Sequence, residues 1–226
     1  MSMNDKKFIL FLLGKIISNI LGVALILFLS AGTMNYIEGV LFVVTIAVVS
    51  IVYSLLMLTK CPDLFKKRLL YKENNPVQQI VIVLLLLVGI TTIVVAGLSF
   101  RFDLTFLPKH RFVFSAIFFA LAATLYYRVV KANAYLTSEI TTQEGQTVVE
   151  DGPYAIVRHP MYTAMLMFVL ATNLYFGSIL SLVCVLLFVP VLILRILNEE
   201  KILCKELNGY DEYKKKVKYR MIPFVW

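Results

Sequence analysis

The stretch MYTAMLMFVLATNLYFGSILSLVCVLLFVPVLILRIL, residues 161–197, decides the fold of this chain. It is too long for one membrane span, since about 20 apolar residues cross a bilayer as a helix. Its polar break at residues 173–178 contains Gly177, a residue suited to a turn. The stretch therefore predicts two helices folded into a hairpin, of which the first need not span the membrane fully.

Four further apolar runs precede this hairpin, and each is long enough, or nearly so, to form a transmembrane helix. They cover residues 8–30, 37–59, 76–98 and 112–131. The first run exceeds the 7–15 residues typical of the apolar part of a signal peptide, so we expect a retained helix. The chain is 60% hydrophobic and 16% charged, against about 25% charged in soluble domains. These features predict an all-α, multi-pass transmembrane bundle of about five or six membrane helices.

The basic residues indicate which side of the membrane each segment occupies. The net charge is +8, and Lys and Arg are concentrated in segment 60–75 and in the tail after residue 200. Cytoplasmic segments are enriched in Lys and Arg, so this pattern predicts that the N-terminus, segments 60–75 and 132–160 and the C-terminal tail are cytoplasmic. It explains the charge better than nucleic-acid binding does. The exception is loop 99–111, which carries three basic residues but is expected on the opposite side.

Cysteine and histidine are too few and too scattered for a disulfide framework or a metal centre. Cys61, Cys184 and Cys204 include no C-x-x-C pair, and His110 and His159 are the two histidines of the chain. We therefore expect no metal.

Polar residues occur at both ends of the predicted hairpin. Arg158 and His159 come directly before Pro160, which suits the first turn of a helix. At the other end, Arg195 and Glu199 are four residues apart and share a helix face. Because a hairpin returns both groups to one side of the membrane, they predict a functional site. The alternatives are that Arg158 binds lipid phosphate, that His159 only caps the helix, and that Arg195 and Glu199 form a surface ion pair.

An ordered set of motifs then resembles a known family. GPYAIVRHPMY at 152–162, NEEKIL at 198–203 and YDEYKKKVKYRMIPFV at 210–225 resemble the isoprenylcysteine carboxyl methyltransferase family, within a wider group that includes phospholipid methyltransferases. The resemblance covers about residues 132–226. It implies N-terminal transmembrane helices (1–131) followed by a cofactor-binding methyltransferase core (132–226). Such enzymes transfer a methyl group from S-adenosylmethionine, leaving S-adenosylhomocysteine, in a pocket at the cytoplasmic face.

The resemblance also assigns roles to individual residues. Arg195 would orient an anionic acceptor such as a prenylcysteine carboxylate, and Glu199 would join it in catalysis. Tyr210 and Tyr213 would help to close the pocket. The residues implied to bind the cofactor are Gln146, Thr147, Val148, Val149, Gly152, Tyr154, His159, Pro160, Tyr162, Glu199 and Glu200.

Three other functions remain open at this level. A phospholipid N-methyltransferase would use the same donor and a lipid acceptor, and Glu199 would then matter more than Arg195. A sterol reductase carries a similar R-H-P-x-Y motif and binds a nicotinamide cofactor, but is usually longer. A membrane scaffold without enzymatic activity would use these polar groups only to anchor helices.

Overall fold

The computed structural model of the chain describes residues 5–70, 73, 75–104, 106–133, 135 and 145–226. Over these ranges the chain is helical, with one isolated antiparallel bridge between Phe106 and Ser178. The helices are α1 (Asp5–Ala31), α2 (Ile37–Lys60), α3 (Pro62–Leu70), α4 (Pro76–Arg101), α5 (Arg111–Ala132), a 3-10 turn (Gly152–Ala155), α6 (Pro160–Phe176), α7 (Ile179–Glu206) and α8 (Tyr210–Lys216).

The predicted fold class is confirmed. Five helices, namely α1, α2, α4, α5 and α7, are long and apolar enough to cross a membrane. They coincide with the apolar runs of the sequence, so the protein is a multi-pass membrane protein. The short helix α3 was not predicted, because its amphipathic nine residues lie within a basic segment. Of the polar stretch 132–160, residues 134 and 136–144 lie outside the described ranges.

The predicted hairpin is also confirmed. Helix α6 ends at Gly177, which adopts a left-handed conformation with φ of 70°, and α7 begins two residues later. A side chain at Gly177 would overlap Arg111 of α5. Helix α6 has 17 residues and is about 26 Å long, shorter than a hydrocarbon core of about 30 Å.

The helices pack as a bundle, in which α2 also contacts α5 through Tyr53 and Tyr126. Helix α1 packs on α2 and α4, α4 on α7, α7 on α6, and α6 on α5. The α1–α4 contact is close at Gly97, where a Cβ atom would lie 2.7 Å from the carbonyl oxygen of Leu27 and overlap Ser30 Oγ. This arrangement brings the start of α4 beside the end of α7.

The ends of the helices lie in two groups, one at each end of the bundle. At one end, Ser99 Oγ lies 2.7 Å from Ser178 Oγ. Arg111, one of the three basic residues of loop 99–111, is buried there and donates to both carboxylate oxygens of Glu38 at 3.1 Å. Its charge is therefore neutralised inside the protein. The other end contains the R-H-P motif and the end of α7.

Candidate functional site

The C-terminal segment lies along the R-H-P motif and holds it in place. The backbone N–H groups of Arg158 and His159 donate to the carbonyl oxygens of Tyr219 and Arg220, at 2.9 and 2.8 Å. Thr163, in the first turn of α6, donates from Oγ1 to the carbonyl oxygen of Met221 at 2.7 Å. Two separate parts of the sequence, residues 158–163 and 219–221, therefore meet at the start of α6.

A buried ionic network ties the motif to α7. Arg158 Nε donates to Glu200 Oε1 at 2.7 Å, and Arg220 Nε donates to Glu200 Oε2 at 2.9 Å. Arg158 Nη1 also donates to the carbonyl oxygens of Val217 and Lys218. Arg158 and Glu200 are 7% and 5% exposed, so Arg158 binds protein groups instead of lipid phosphate. Its guanidinium fork can serve several acceptors at once, as a lysine ammonium at this distance could not.

Arg195 and Glu199 are linked by a hydroxyl group instead of a direct ion pair. Tyr162 donates from its hydroxyl to Glu199 Oε2 at 2.7 Å and accepts from Arg195 Nε at 2.8 Å. Arg195 Nη1 donates to Gln78 Oε1 of α4 at 3.0 Å. Among the described residues, Arg195 Nη2 has no hydrogen-bond partner. The guanidinium is therefore held in a fixed orientation by two neighbours while one of its donors is left for another molecule.

His159 lies between the two glutamates. It occupies the cap position before α6 but makes no side-chain capping bond. Its Nδ1 is 3.8 Å from Glu199 Oε2 and its Nε2 is 3.4 Å from Glu200 Oε1. Nε2 is buried and makes no hydrogen bond of acceptable geometry. His159 therefore does more than cap the helix, because it faces both carboxylates of the cluster.

Two tyrosines of α8 cover the same region but are bonded differently. Tyr213 donates from its hydroxyl to the carbonyl oxygen of Tyr154 at 2.8 Å. The Tyr210 hydroxyl is buried and has no hydrogen-bond partner among the residues that the structure describes. Burial raises the pKa of Tyr210, and the carboxylates of Glu200 and Glu199 raise it further. The phenol therefore stays neutral and keeps a proton that it can donate.

The other residues expected at the cofactor lie on the segment before the motif. Val148 packs against the cluster formed by Leu207, Tyr210, Tyr213 and Val217, and Val149 packs against Val129 and Tyr154. Pro160 is buried, Gln146 is half-buried, and Thr147 and Gly152 are exposed. The hydroxyl of Tyr154 accepts a hydrogen bond from Asn133. The roles of these residues stay predictions.

The donor set of this cluster fits a polar ligand. His159 Nε2 and the Tyr210 hydroxyl are buried without hydrogen bonds and lie close to two carboxylates. Buried polar atoms in folded proteins almost always have partners, so these two atoms are available to a ligand or to water. Carboxylates suit a cationic ligand such as a sulfonium, and the adjacent donors suit its polar substituents.

Several contributors to the cluster were missed at the sequence level. Gln78 appeared only as part of an apolar run, although a polar residue inside a membrane helix requires a partner and could have been noticed. Arg220 was counted only as a tail charge. Nothing in a local pattern predicts that its guanidinium reaches Glu200.

The fold and the site together describe a multi-pass membrane protein with a buried ionic site at one end of its bundle. Residues 114–205 match the family model of the isoprenylcysteine carboxyl methyltransferase (ICMT) family. The resemblance predicted from the motifs is thereby confirmed over this part of the chain, which includes the R-H-P motif, the hairpin and the glutamate pair. The match indicates a membrane methyltransferase. A comparison with curated proteins gives no match.

Proposed function

We propose that this protein uses S-adenosylmethionine to methylate a carboxylate on a lipophilic, isoprenylcysteine-like acceptor. The observation that carries the proposal is the Tyr162 hydroxyl between Arg195 and Glu199, in the same cluster as His159 Nε2 and the Tyr210 hydroxyl, which make no hydrogen bond within the described residues. In this buried cluster, side chains that can bind an anion lie next to side chains that can bind a cation. The family match supports the same reaction.

The cofactor would be held by the glutamate pair and its neighbours. S-adenosylmethionine supplies an activated methyl group on a positively charged sulfur when it is bound. Glu199 would balance positive charge, because Glu200 is already paired with Arg158 and Arg220 and would only line the pocket. His159 Nε2 and the Tyr210 hydroxyl would hydrogen-bond polar groups of the ligand. Residues 146–149 and Gly152 would border the pocket, as the family resemblance implies.

Arg195 would orient the acceptor. Its guanidinium is buried and fixed by Tyr162 and Gln78, so little conformational entropy is lost when it binds a carboxylate. A carboxylate nucleophile is already deprotonated at neutral pH. The protein then needs to position the reactants and exclude water, and no general base is required.

The active site would face the cytoplasm. The end of the bundle that contains it also carries the basic segment 60–70 and the basic α8, whereas Arg111 at the opposite end is neutralised by Glu38. The opposite end keeps Arg101 and Lys109, but fewer basic residues than the site end, and this difference supports the positive-inside orientation predicted from the sequence.

Cofactor binding is tested by calorimetry with S-adenosylhomocysteine and detergent-purified protein. We expect saturable binding that weakens about tenfold in Tyr210→Phe, because a buried hydrogen bond to the ligand is lost. Tyr213→Phe is the matched control, since its hydroxyl already bonds Tyr154. It should lower thermal stability more than affinity. Absence of binding, or binding of a nicotinamide cofactor instead, would overturn the proposal.

The reaction itself is tested with methyl-tritiated S-adenosylmethionine and N-acetyl-S-farnesylcysteine. A methyl ester releases volatile labelled methanol in alkali, so base-labile volatile counts are the expected result. Alkali-stable counts in a membrane lipid fraction would instead indicate N-methylation. The methyl acceptor would then be an amine, and the proposed carboxylate acceptor would be wrong.

A further inference from the structure

Residues 220–226 form a loop that closes on its own main chain. The backbone N–H groups of Arg220, Met221 and Ile222 all donate to the main-chain oxygen of Trp226, at 2.9, 3.0 and 3.1 Å. The N–H group of Trp226 donates back to the carbonyl oxygen of Ile222 at 3.1 Å. Successive N–H groups in a turn form a concave site for an acceptor oxygen. Trp226 therefore fixes the backbone of the three residues that begin the loop.

The indole ring of Trp226 also contacts the side chain of Arg220. The guanidinium carbon lies 5.1 Å from the centroid of the ring, within the roughly 6 Å over which an aromatic face attracts a cation. The ring is half-buried and packs against the apolar cluster that contains Tyr162 and Ile196. The side chain of Arg220 is 30% exposed. The ring therefore limits the orientations of a long side chain that its other neighbours enclose only in part.

Arg220 reaches the candidate site by two routes. Its Nε donates to Glu200 Oε2 at 2.9 Å, and its carbonyl oxygen accepts from the N–H group of His159 at 2.8 Å. Both the side chain and the backbone that Trp226 holds are thus in direct contact with residues of the buried cluster. A displacement of Arg220 therefore moves His159, which would bind the cofactor, and the glutamate beside it.

We propose that Trp226 is a positioning residue of the candidate site: it holds Arg220 against Glu200 and His159, and thereby sets the affinity for the cofactor. This inference rests on the proposed function and adds a residue outside the cluster to it. Trp226 acts through Arg220, so no contact between the indole and the ligand is required. A role in packing alone would act on stability, and its effect would not depend on Arg220.

The experiment is a double-mutant cycle of Trp226→Ala and Arg220→Met, with binding of S-adenosylhomocysteine to detergent-purified protein measured by calorimetry. Trp226→Ala removes the ring, keeps the main-chain oxygen, and should weaken binding about five- to tenfold through loss of the cation–π contact. In the Arg220→Met background the same change should have little further effect, because the two residues act as one unit. Trp226→Phe keeps an aromatic face and should recover part of the affinity. Val225→Ala is the control, since Val225 precedes Trp226 but its side chain is 75% exposed.

The contact between the two side chains is tested without ligand by fluorescence. Trp226 is the one tryptophan of the sequence, so its emission reports on this loop alone. Arg220→Met should increase quenching of this emission by acrylamide, because the ring loses its cationic neighbour. Lys218→Met is the matched control, since Lys218 is exposed nearby.

Three results would overturn the inference: affinity within about twofold of the parent in Trp226→Ala, losses that add in the double variant, or equal quenching in Arg220→Met and Lys218→Met. Failure of the proposed function gives a different result. If the parent protein does not bind S-adenosylhomocysteine, the proposed function and the effect of Trp226 on affinity are both wrong. If the parent binds it and Trp226→Ala binds it equally well, only the positioning role is wrong.

Discussion

Arg158 donates a 2.7 Å hydrogen bond to Glu200, which lies 42 residues later at the far end of the helical hairpin. The first residue of the R-H-P motif is thus bound to the second residue of the glutamate pair. Arg158 also bonds the carbonyl oxygens of Val217 and Lys218 in the C-terminal segment. One side chain therefore joins three parts of the chain around the candidate site.

Replacing this arginine should destabilise the protein strongly. Arg158→Met leaves Glu200 buried with one cationic partner, and breaking a buried ion pair costs about 3–5 kcal/mol. Arg158→Lys should recover part of this loss, because it keeps the charge but not the fork. Thermal unfolding in detergent measures the effect, with the exposed Lys218→Met as control. Equal melting temperatures for Arg158→Met and Lys218→Met would contradict a structural role for the Arg158–Glu200 ion pair.

Removing the hydroxyl that links Arg195 and Glu199 should affect acceptor turnover more than folding. Tyr162→Phe frees the guanidinium from its Nε partner and leaves the carboxylate without its donor. Loss of a hydrogen bond to a charged group corresponds to about 1.5–3 kcal/mol. We expect kcat/KM for the acceptor to fall about 10- to 100-fold. Steady-state kinetics would contradict this role if kcat/KM stayed within about twofold of the parent.

Gly177, in the turn of the hairpin, and Gly145, in the segment before the R-H-P motif, provide a matched pair of substitutions. Gly177 and Gly145 both have φ near +70°, but a Cβ at Gly177 would overlap Arg111, whereas one at Gly145 meets none of the described atoms within 4 Å. Gly145→Ala should lower the free energy of unfolding by about 1–2 kcal/mol, because alanine disfavours the left-handed conformation. Gly177→Ala should cost clearly more, because Arg111 must also move. Unfolding measurements that rank the two variants equally would rule out the steric contribution.

A second glycine pair tests the packing of α1 on α4. A Cβ at Gly97 would approach the backbone of α1 within 2.7 Å, whereas one at Gly89, in the same helix, meets nothing within 4 Å. Gly89→Ala should stabilise the protein by about 0.5–1 kcal/mol through helix propensity. The same change at Gly97 should destabilise it. If both substitutions stabilised the protein, the close contact between the helices would be wrong.

Much of the architecture could be predicted because it depends on local pattern. The lengths of the apolar runs predicted the five membrane helices, and Gly177 predicted the turn of the hairpin. Helix α3 escaped prediction because nine residues give too weak a periodic signal. The division into residues 1–131 and 132–226 stays a prediction.

The candidate site could be predicted only in part. His159, Tyr162 and the Arg195–Glu200 segment were identified by their motifs, and the structure brings them together. Gln78 and Arg220 were missed because their partners lie far away in the sequence. Asn198 was noticed only as part of a motif, and its orphan amide becomes visible only with the packing of α7.

The sequence by itself determined the membrane-spanning helices, the hairpin and the family resemblance, since these follow from composition, helix periodicity and ordered motifs. The tertiary structure alone decided which charges meet. Arg158 binds Glu200, Arg111 binds Glu38, and Tyr162 separates Arg195 from Glu199. The physical reason is that a buried charge must find a partner. Which partner lies within reach depends on how distant helices pack, and no local pattern contains that information.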